Sequence, residues 1–480
     1  MDANAISNLA SGVLAPSLSH LEPTLWLVAN GGTFPGDGAH GLVATSTSSG
    51  RVDFDVAVKA LRRLTEAGGE LGQAVAKALS ASHCLPLLKS GLAPGAETAV
   101  RIMTLRFINS SRLYASCAPQ VDKAMRDDDL VVSAAAADVL ASTALRDDQG
   151  ASAVFSAISK GAASDSDDAV RLRWLSLAVR IAPQGGDAHL QAAAAAVASA
   201  VKDAEGDVLA LLALFEIVGD FAENVPGGAA AMFETSSECM ATLLAIAQNE
   251  PMLSDQAMRI LASSFFATKG AVPPLEKLWP IVASSLPSVS GIKAAGVLCA
   301  ASAAAVDAFL AVDGYNAFLR AAASADEQLR VAGLEALSTS LSPGTFSAAR
   351  ADQGREILGS DSVGALRLLV RTASGHPSVH VRCAAYDALA TIASLQANWA
   401  VDLFLDNEGA ARFLLERGQE QEKVGMEHRF CIADQLSKNE IFKQTASEDL
   451  LERIKHHLSI GPYRGPLQGT KPPDVVEAAM

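Results

Sequence analysis

Large rings and paired reactive side chains are scarce in this sequence. Phe, Trp and Tyr supply 5% of the 480 residues while hydrophobic residues make up 50%, so a core must be built from Ala, Leu and Val at close approach. The six cysteines, at 84, 117, 239, 299, 383 and 431, are far apart and contain no CxxC pair. That spacing excludes a clustered metal or disulfide framework and predicts ordinary buried thiols in a reducing compartment. Basic residues are outnumbered 38 to 53, for a formal charge of −15, which argues against a phosphate backbone or an anionic membrane as partner. Apolar runs such as AAGVLCAASAAAV from residue 294 stop short of the roughly 20 residues that span a bilayer. The start, MDANAISNLASGVLAP, lacks the basic flank and compact apolar run of a secretory signal. The expectation is a cytoplasmic protein, with nuclear residence also allowed, that contacts neither nucleic acid nor membrane.

Catalytic signatures are equally thin. There is no GxxxxGK[ST] loop to cradle phosphates and no HExxH to place two imidazoles and a base on one helix face. His376 and His380 are four apart, but Pro377 suits a first helical position and leaves His376 outside the helix. Asp165, Asp167 and Asp168 resemble the opening of a calcium loop, yet Val170 and Ser176 stand where such a loop needs Gly and Glu. Acidic residues there, as at Asp127, Asp128 and Asp129, are better read as capping free amides at a helix start. His456 and His457 suit the last turn of a helix. The chain is expected not to be an enzyme, with no cofactor and no metal.

What the chain has in abundance is repetition. A Leu-rich segment, a polar break and a helix opening on an aliphatic residue recur as CLPLLKSGLAPGAETAVRIMTL, AFLRAAASADEQLRVAGLEAL and RLLVRTASGHPSVHVRCAAYDAL. The opening aliphatic can be traced through Val100, Val131, Val170, Val208, Ile292, Leu329 and Val381, at gaps of 31, 39, 38, 84, 37 and 52 residues. The long gap holds about two units of roughly 40 to 47 residues, the armadillo and HEAT period. Within VRCAAYDALATIA, Val381, Ala384, Ala385, Ala388, Leu389 and Ile392 form one apolar stripe at helical spacing. The fold expected is all-α, an armadillo/HEAT-like helical repeat solenoid, whose units bury their apolar faces only against neighbours.

Composition divides the chain into an N-terminal helical segment over 1–30, a Gly/Ser/Thr loop over 31–50, the solenoid over 51–460 and a disordered tail over 461–480. Polar breaks at 126–129, 164–168 and 340–344 read as turns between helices. Function is then left to the surface. In an armadillo-type unit the Leu-rich first helix corresponds to the groove lining, and Arg320, Arg367, Arg371, Arg412 and Glu416 occupy its outward polar positions. These are the candidate partner-binding residues.

The stretch VHVRCAAYDALATIASLQANWAVDLFLDNEGAARFLLERGQEQEKVGMEHRFCIADQLSKN from 379, followed by LLERIKHHLSIGPYRGP from 450, resembles the proteasome non-ATPase regulatory subunit 5 family. The small-residue helix before Trp399, the GAARFLLER helix, the charged helix after it and the LSIGPY ending carry the resemblance together, and APGAETAVRIMTLRFI from 93 adds to it. The resemblance implies an assembly chaperone of the 26S proteasome regulatory particle base. Such a protein binds the C-terminal domain of an AAA-ATPase subunit, associates with the large non-ATPase scaffold subunit and hinders premature docking on the core particle. It is expected to be a monomer when free. The alternative is a general armadillo-type adaptor or scaffold, such as a transport receptor or a phosphatase scaffold. A transport receptor would show a repeated Trp and Asn ladder, and this chain has only four tryptophans, Trp26, Trp174, Trp279 and Trp399, without recurrent Asn partners.

Overall fold

The computed structural model describes residues 88–463, apart from 90, 97, 165–166, 287, 342–350, 359–360, 406–407 and 416–419, and apart from the side chains at 100, 110, 111, 164, 351–353, 408, 409, 411 and 412. The expected N-terminal helix, the 31–50 loop, the first stretch of the solenoid to 87, the turn at 342–344 and the tail beyond 463 lie outside the described residues.

The described residues form an all-α helical-repeat fold of 23 α-helices without a strand. The chain divides into two compact units after Ala200. The first unit contains α1 (Thr98–Ser111), α2 (Tyr114–Met125), α3 (Leu130–Ala144), α4 (Asp148–Ser164), α5 (Asp168–Ile181) and a 3-10 turn at Ala182–Gln184. α6 (Gly186–Asp203) runs through the division. The second unit begins with α7 (Val208–Asn224), α8 (Gly228–Thr235), α9 (Ser237–Asn249), α10 (Ser254–Ala267), α11 (Leu275–Ser284), α12 (Val289–Ala301), α13 (Ala303–Ala311), α14 (Gly314–Ala322) and α15 (Glu327–Ser340). It continues with α16 (Ala351–Ile357), α17 (Ser362–Gly375), α18 (Val379–Ser394), α19 (Asn398–Leu405), α20 (Glu408–Leu415), α21 (Lys423–Lys438), α22 (Glu440–Thr445) and α23 (Glu448–Ile460).

Two kinds of packing repeat. A first helix pairs with the second helix that follows it, as α9 with α10, α11 with α12, α14 with α15, α17 with α18 and α20 with α21. The second helices then stack on one another in the order α7, α10, α12, α15, α18, α21, while first helices touch their neighbours far less. In the first unit α3 packs against α1, α2 and α4, and α5 against α4. A second helix is thus buried on two sides. Val381, Ala385, Ala388, Leu389 and Ile392 of α18 are fully inaccessible and Ala384 is 6% exposed, as the periodicity predicts.

Small residues set the spacing. A Cβ at Gly296 of α12 would lie 2.8 Å from the Cα of Ala336 on α15, and one at Gly333 of α15 would lie 2.5 Å from the backbone N of Ala322 on α14. At such contacts main chain meets main chain, which is how a core poor in rings reaches native density.

The polar breaks do the work expected of them. Asp129, Asp167, Asp207 and Asp326 are the N-cap residues of α3, α5, α7 and α15, each accepting from backbone N–H groups two or three residues on. The traced aliphatics need one correction. Ile292 and Val381 are fully buried and Val170 nearly so, but Val131 is 60% exposed and its neighbour Val132 takes the interior place. The cap at Asp129 starts α3 one residue later than the repeat alignment assumed. Pro377 likewise precedes its helix: α17 closes with His376 as C-cap, and Ser378 is the N-cap of α18.

Candidate functional site

The aliphatic residue at the repeat break is followed by a cation in most units: Arg101, Arg171, Lys293, Arg330 and Arg382 come directly after Val100, Val170, Ile292, Leu329 and Val381. The sequence reading passed over this recurrence. Arg171 Nε donates to the carbonyl of Ala162 at 3.1 Å, Arg330 Nε to that of Ser324 at 2.7 Å, and Arg382 Nη1 to those of His376 and Pro377 at 2.9 and 3.0 Å. Each guanidinium therefore closes its helix pair on carbonyls at or just past the end of the first helix, where free acceptors and the negative dipole end favour a cation. Arg101 instead forms a buried ion pair with Asp127.

A second polar series links consecutive second helices. Glu223 accepts from Arg259 at 3.0 Å and from Ser263 at 3.1 Å, and Ser290 donates to Asp255. Lys293 pairs with Glu335 at 2.8 Å, Ser338 meets Thr391 at 2.9 Å, and His428 meets Asp387 at 2.6 Å. These links are largely exposed and contribute at most about 1 kcal/mol each; what they fix is which surface charges are already partnered.

The densest polar construction joins α18 to the segment before α21. Glu420, whose side chain is 3% exposed, accepts from Arg382 Nε and Nη2, both at 2.8 Å, from Tyr386 Oη at 3.1 Å, and from the backbone N–H groups of Gln421 and Glu422 at 3.0 Å. Burial alone would raise its carboxyl, but the Arg382, Glu422 and Tyr386 hydrogen bonds outweigh burial and hold it below the usual carboxylate range. Burial, reinforced by the Glu420 charge, pushes the Tyr386 phenol up. Tyr386 stacks on Phe413, and Arg429 lies over the opposite partner of that stack, 5.0 Å from the Phe413 ring centre, while donating to the Phe413 carbonyl. Asn439, 1% exposed, donates to the carbonyls of Ala393 and Leu395 and caps α22. After α23, Tyr463 donates to Glu427 and receives Lys423 over its ring. Together these contacts tie α18 to α20, α21 and the segment between them. The crevice among Phe404, Leu414, Ala433, Phe442 and Ile454 is about 10 Å³, barely one water.

Of the sequence-predicted surface residues, Arg320 is in the last turn of α14, and Arg367 and Arg371 sit one turn apart on α17. All three are exposed and have no side-chain partner among the described residues. The structure brings Arg367 and Arg371 together on one face and leaves Arg320 on another helix pair. Arg412 lies on α20 with its side chain outside what the structure describes, and Glu416 lies outside the described residues.

No group of three or more His, Cys, Asp or Glu suited to a metal occurs among the described residues, and no described helix is long and apolar enough to cross a membrane. Cys117, Cys239 and Cys299 are buried free thiols, and burial pushes Cys239 up to about 12. The expectation of buried thiols fails at Cys431, which is exposed on α21, and at half-buried Cys383; Cys84 lies outside the described residues.

No curated protein matches the chain. Among solved structures, an engineered protein is 17% identical with a TM-score of 0.41, over 87% of this chain and 98% of that one. Kap121p bound to Ste12p is 13% identical with a TM-score of 0.49, over 94% of this chain and 44% of that one. Kap121p bound to Nup53p gives the same identity and score over 95% and 46%. The family model of the proteasome non-ATPase 26S subunit matches residues 315–467, the segment that holds the Arg382–Glu420 construction and the α17 arginines, and this similarity supports a proteasome-related protein.

Proposed function

We propose that this chain is an assembly chaperone of the 26S proteasome regulatory particle base, acting by binding rather than by catalysis. The observation that carries the reading is the match of residues 315–467 to the proteasome non-ATPase 26S subunit. The helical-repeat fold suits the role, because a stack of packed helices offers a preformed surface that need not order itself on binding. In this reading the partner is an AAA-ATPase subunit of the base, held through its C-terminal domain, with the large non-ATPase scaffold subunit in the same precursor. Occupying that domain hinders its early docking on the core particle. The chaperone works in the cytoplasm, with nuclear residence also allowed, is a monomer when free, and uses no cofactor.

Arg367 and Arg371 are the contact residues of this proposal, being exposed, adjacent and unpartnered among the described residues. The test is direct binding of the purified chain to the separate C-terminal domains of the base ATPase subunits. One domain should bind, and Arg367→Glu with Arg371→Glu should weaken it at least roughly tenfold while leaving the circular dichroism spectrum and melting unchanged. Binding to none of the ATPase domains would overturn the chaperone reading; binding indifferent to the double charge reversal would move the contact elsewhere on the chain.

A further inference from the structure

In the second unit successive second helices pack along their length, but in the first unit α3 and α5 leave a cleft of about 360 Å³ between them. Its volume is in the range of built ligand sites. The reason lies in the facing residues: Ser133, Ala134, Ala137 and Ala169 are too small to fill the gap, while Leu130, at its edge, is left 67% exposed.

The cleft also contains two guanidinium groups in different states. Arg180 has its charge answered, pairing with Asp138 at 3.0 Å and donating to the Ala137 carbonyl at 2.8 Å. Arg173 does not. Its Nη1 is fixed by the carbonyls of Met125 and Asp127, at 3.3 and 2.7 Å, and no carboxylate partners it among the described residues. Its Nε and Nη2 have no acceptor among the described residues. A guanidinium held in place by neutral carbonyls keeps its full charge and two N–H groups in the fork geometry that fits one carboxylate. A phosphate dianion would call for a second uncancelled cation, and Arg180 is already paired.

We propose that the α3/α5 cleft docks an acidic segment of a partner protein, taking an aliphatic side chain against Ala134, Ala137 and Leu172 and a neighbouring Asp or Glu carboxylate on Arg173. The site belongs to a different part of the chain from residues 315–467, so it stands or falls apart from the proteasome reading.

The test is selection of random linear peptides displayed on phage against the full-length protein, followed by anisotropy measurements with the enriched peptides synthesised and labelled. Enriched sequences should set Asp or Glu next to Leu, Ile, Val or Met. Arg173→Lys, which keeps the charge but loses the fork, should weaken them by roughly tenfold. Ala134→Trp, at an exposed position, should abolish binding by filling the cleft without altering the melt. An absence of enriched peptides, enrichment without an acidic residue, or binding that survives Ala134→Trp would overturn the proposal. So would a concentration-dependent dimer in sedimentation that Ala134→Trp dissolves, because the cleft would then take a second copy of this chain.

Discussion

Replacing Glu420 by Ala removes the acceptor shared by Arg382, Tyr386 and two backbone N–H groups. The Arg382 side chain is 14% exposed, so its charge would be left in a mostly buried place. Breaking one side of a buried pair costs about 3–5 kcal/mol. The low end applies here, about 3 kcal/mol, because Arg382 keeps the carbonyls of His376 and Pro377. Repeat proteins lose two-state behaviour, so the readout should be local: hydrogen exchange of α18 and α21 amides in increasing urea. A double-mutant cycle with Arg382→Ala should give a coupling of about 2 kcal/mol between the two residues. Acidity offers a second check. The folded carboxyl titrates below its unfolded value, so its contribution is complete above the unfolded pKa of about 4.3 and disappears as pH falls through the folded pKa. The gap between the parent and Glu420→Ala should therefore be constant near neutrality and narrow in acid. A coupling under about 0.5 kcal/mol, or a gap that widens as pH falls, would refute this account of Glu420.

Other substitutions address the repeat packing. Leu389→Asp puts a charge at a fully buried position of α18 and should cost at least about 3 kcal/mol, read as early exchange of α18 amides. Gly333→Ala sets a helix-propensity gain of about 1 kcal/mol against overpacking of 1–3 kcal/mol. With the clash falling on the α14 backbone, denaturation should show net destabilisation. Gly375→Ala, which meets nothing within 4 Å, should be neutral or slightly stabilising in the same assay. Asp207→Ala removes an acceptor of two N–H groups at the start of α7 and should lower stability by about 1 kcal/mol, with faster exchange confined to that first turn.

The helical repeat was legible because its cause is local and periodic. An apolar stripe such as that from Val381 to Ile392 can be buried only by neighbours on either side, and capping acids mark the starts of α3, α5, α7 and α15. The break at Val131 shows the limit: a one-residue shift by the Asp129 cap turns a traced aliphatic outward. The recurrent arginine was visible as a letter after four of the seven traced aliphatics, but its role depends on carbonyls freed at the end of the preceding helix, a matter of three-dimensional closure. Glu420 carried less signal still. It lies 38 residues from Arg382 in a charged stretch that reads as solvated, and only the packing of α18 on α21 takes it out of water. Arg173 was hidden similarly, since its interest comes from a cleft that neither α3 nor α5 declares alone.

The arginine fastenings have a direction along the chain. Arg171, Arg330 and Arg382 reach back nine, six and six residues to Ala162, Ser324 and His376, and so to backbone that is older than they are when the chain grows from its N-terminus. Each of those helix pairs can be latched as soon as its second helix emerges, without waiting for anything downstream. The ion pairs of Arg101 with Asp127 and of Arg382 with Glu420 run the other way, for each must wait until a later segment has been made. The order of synthesis is thus also an order of closure, with those two clasps held open until their downstream partners have been made.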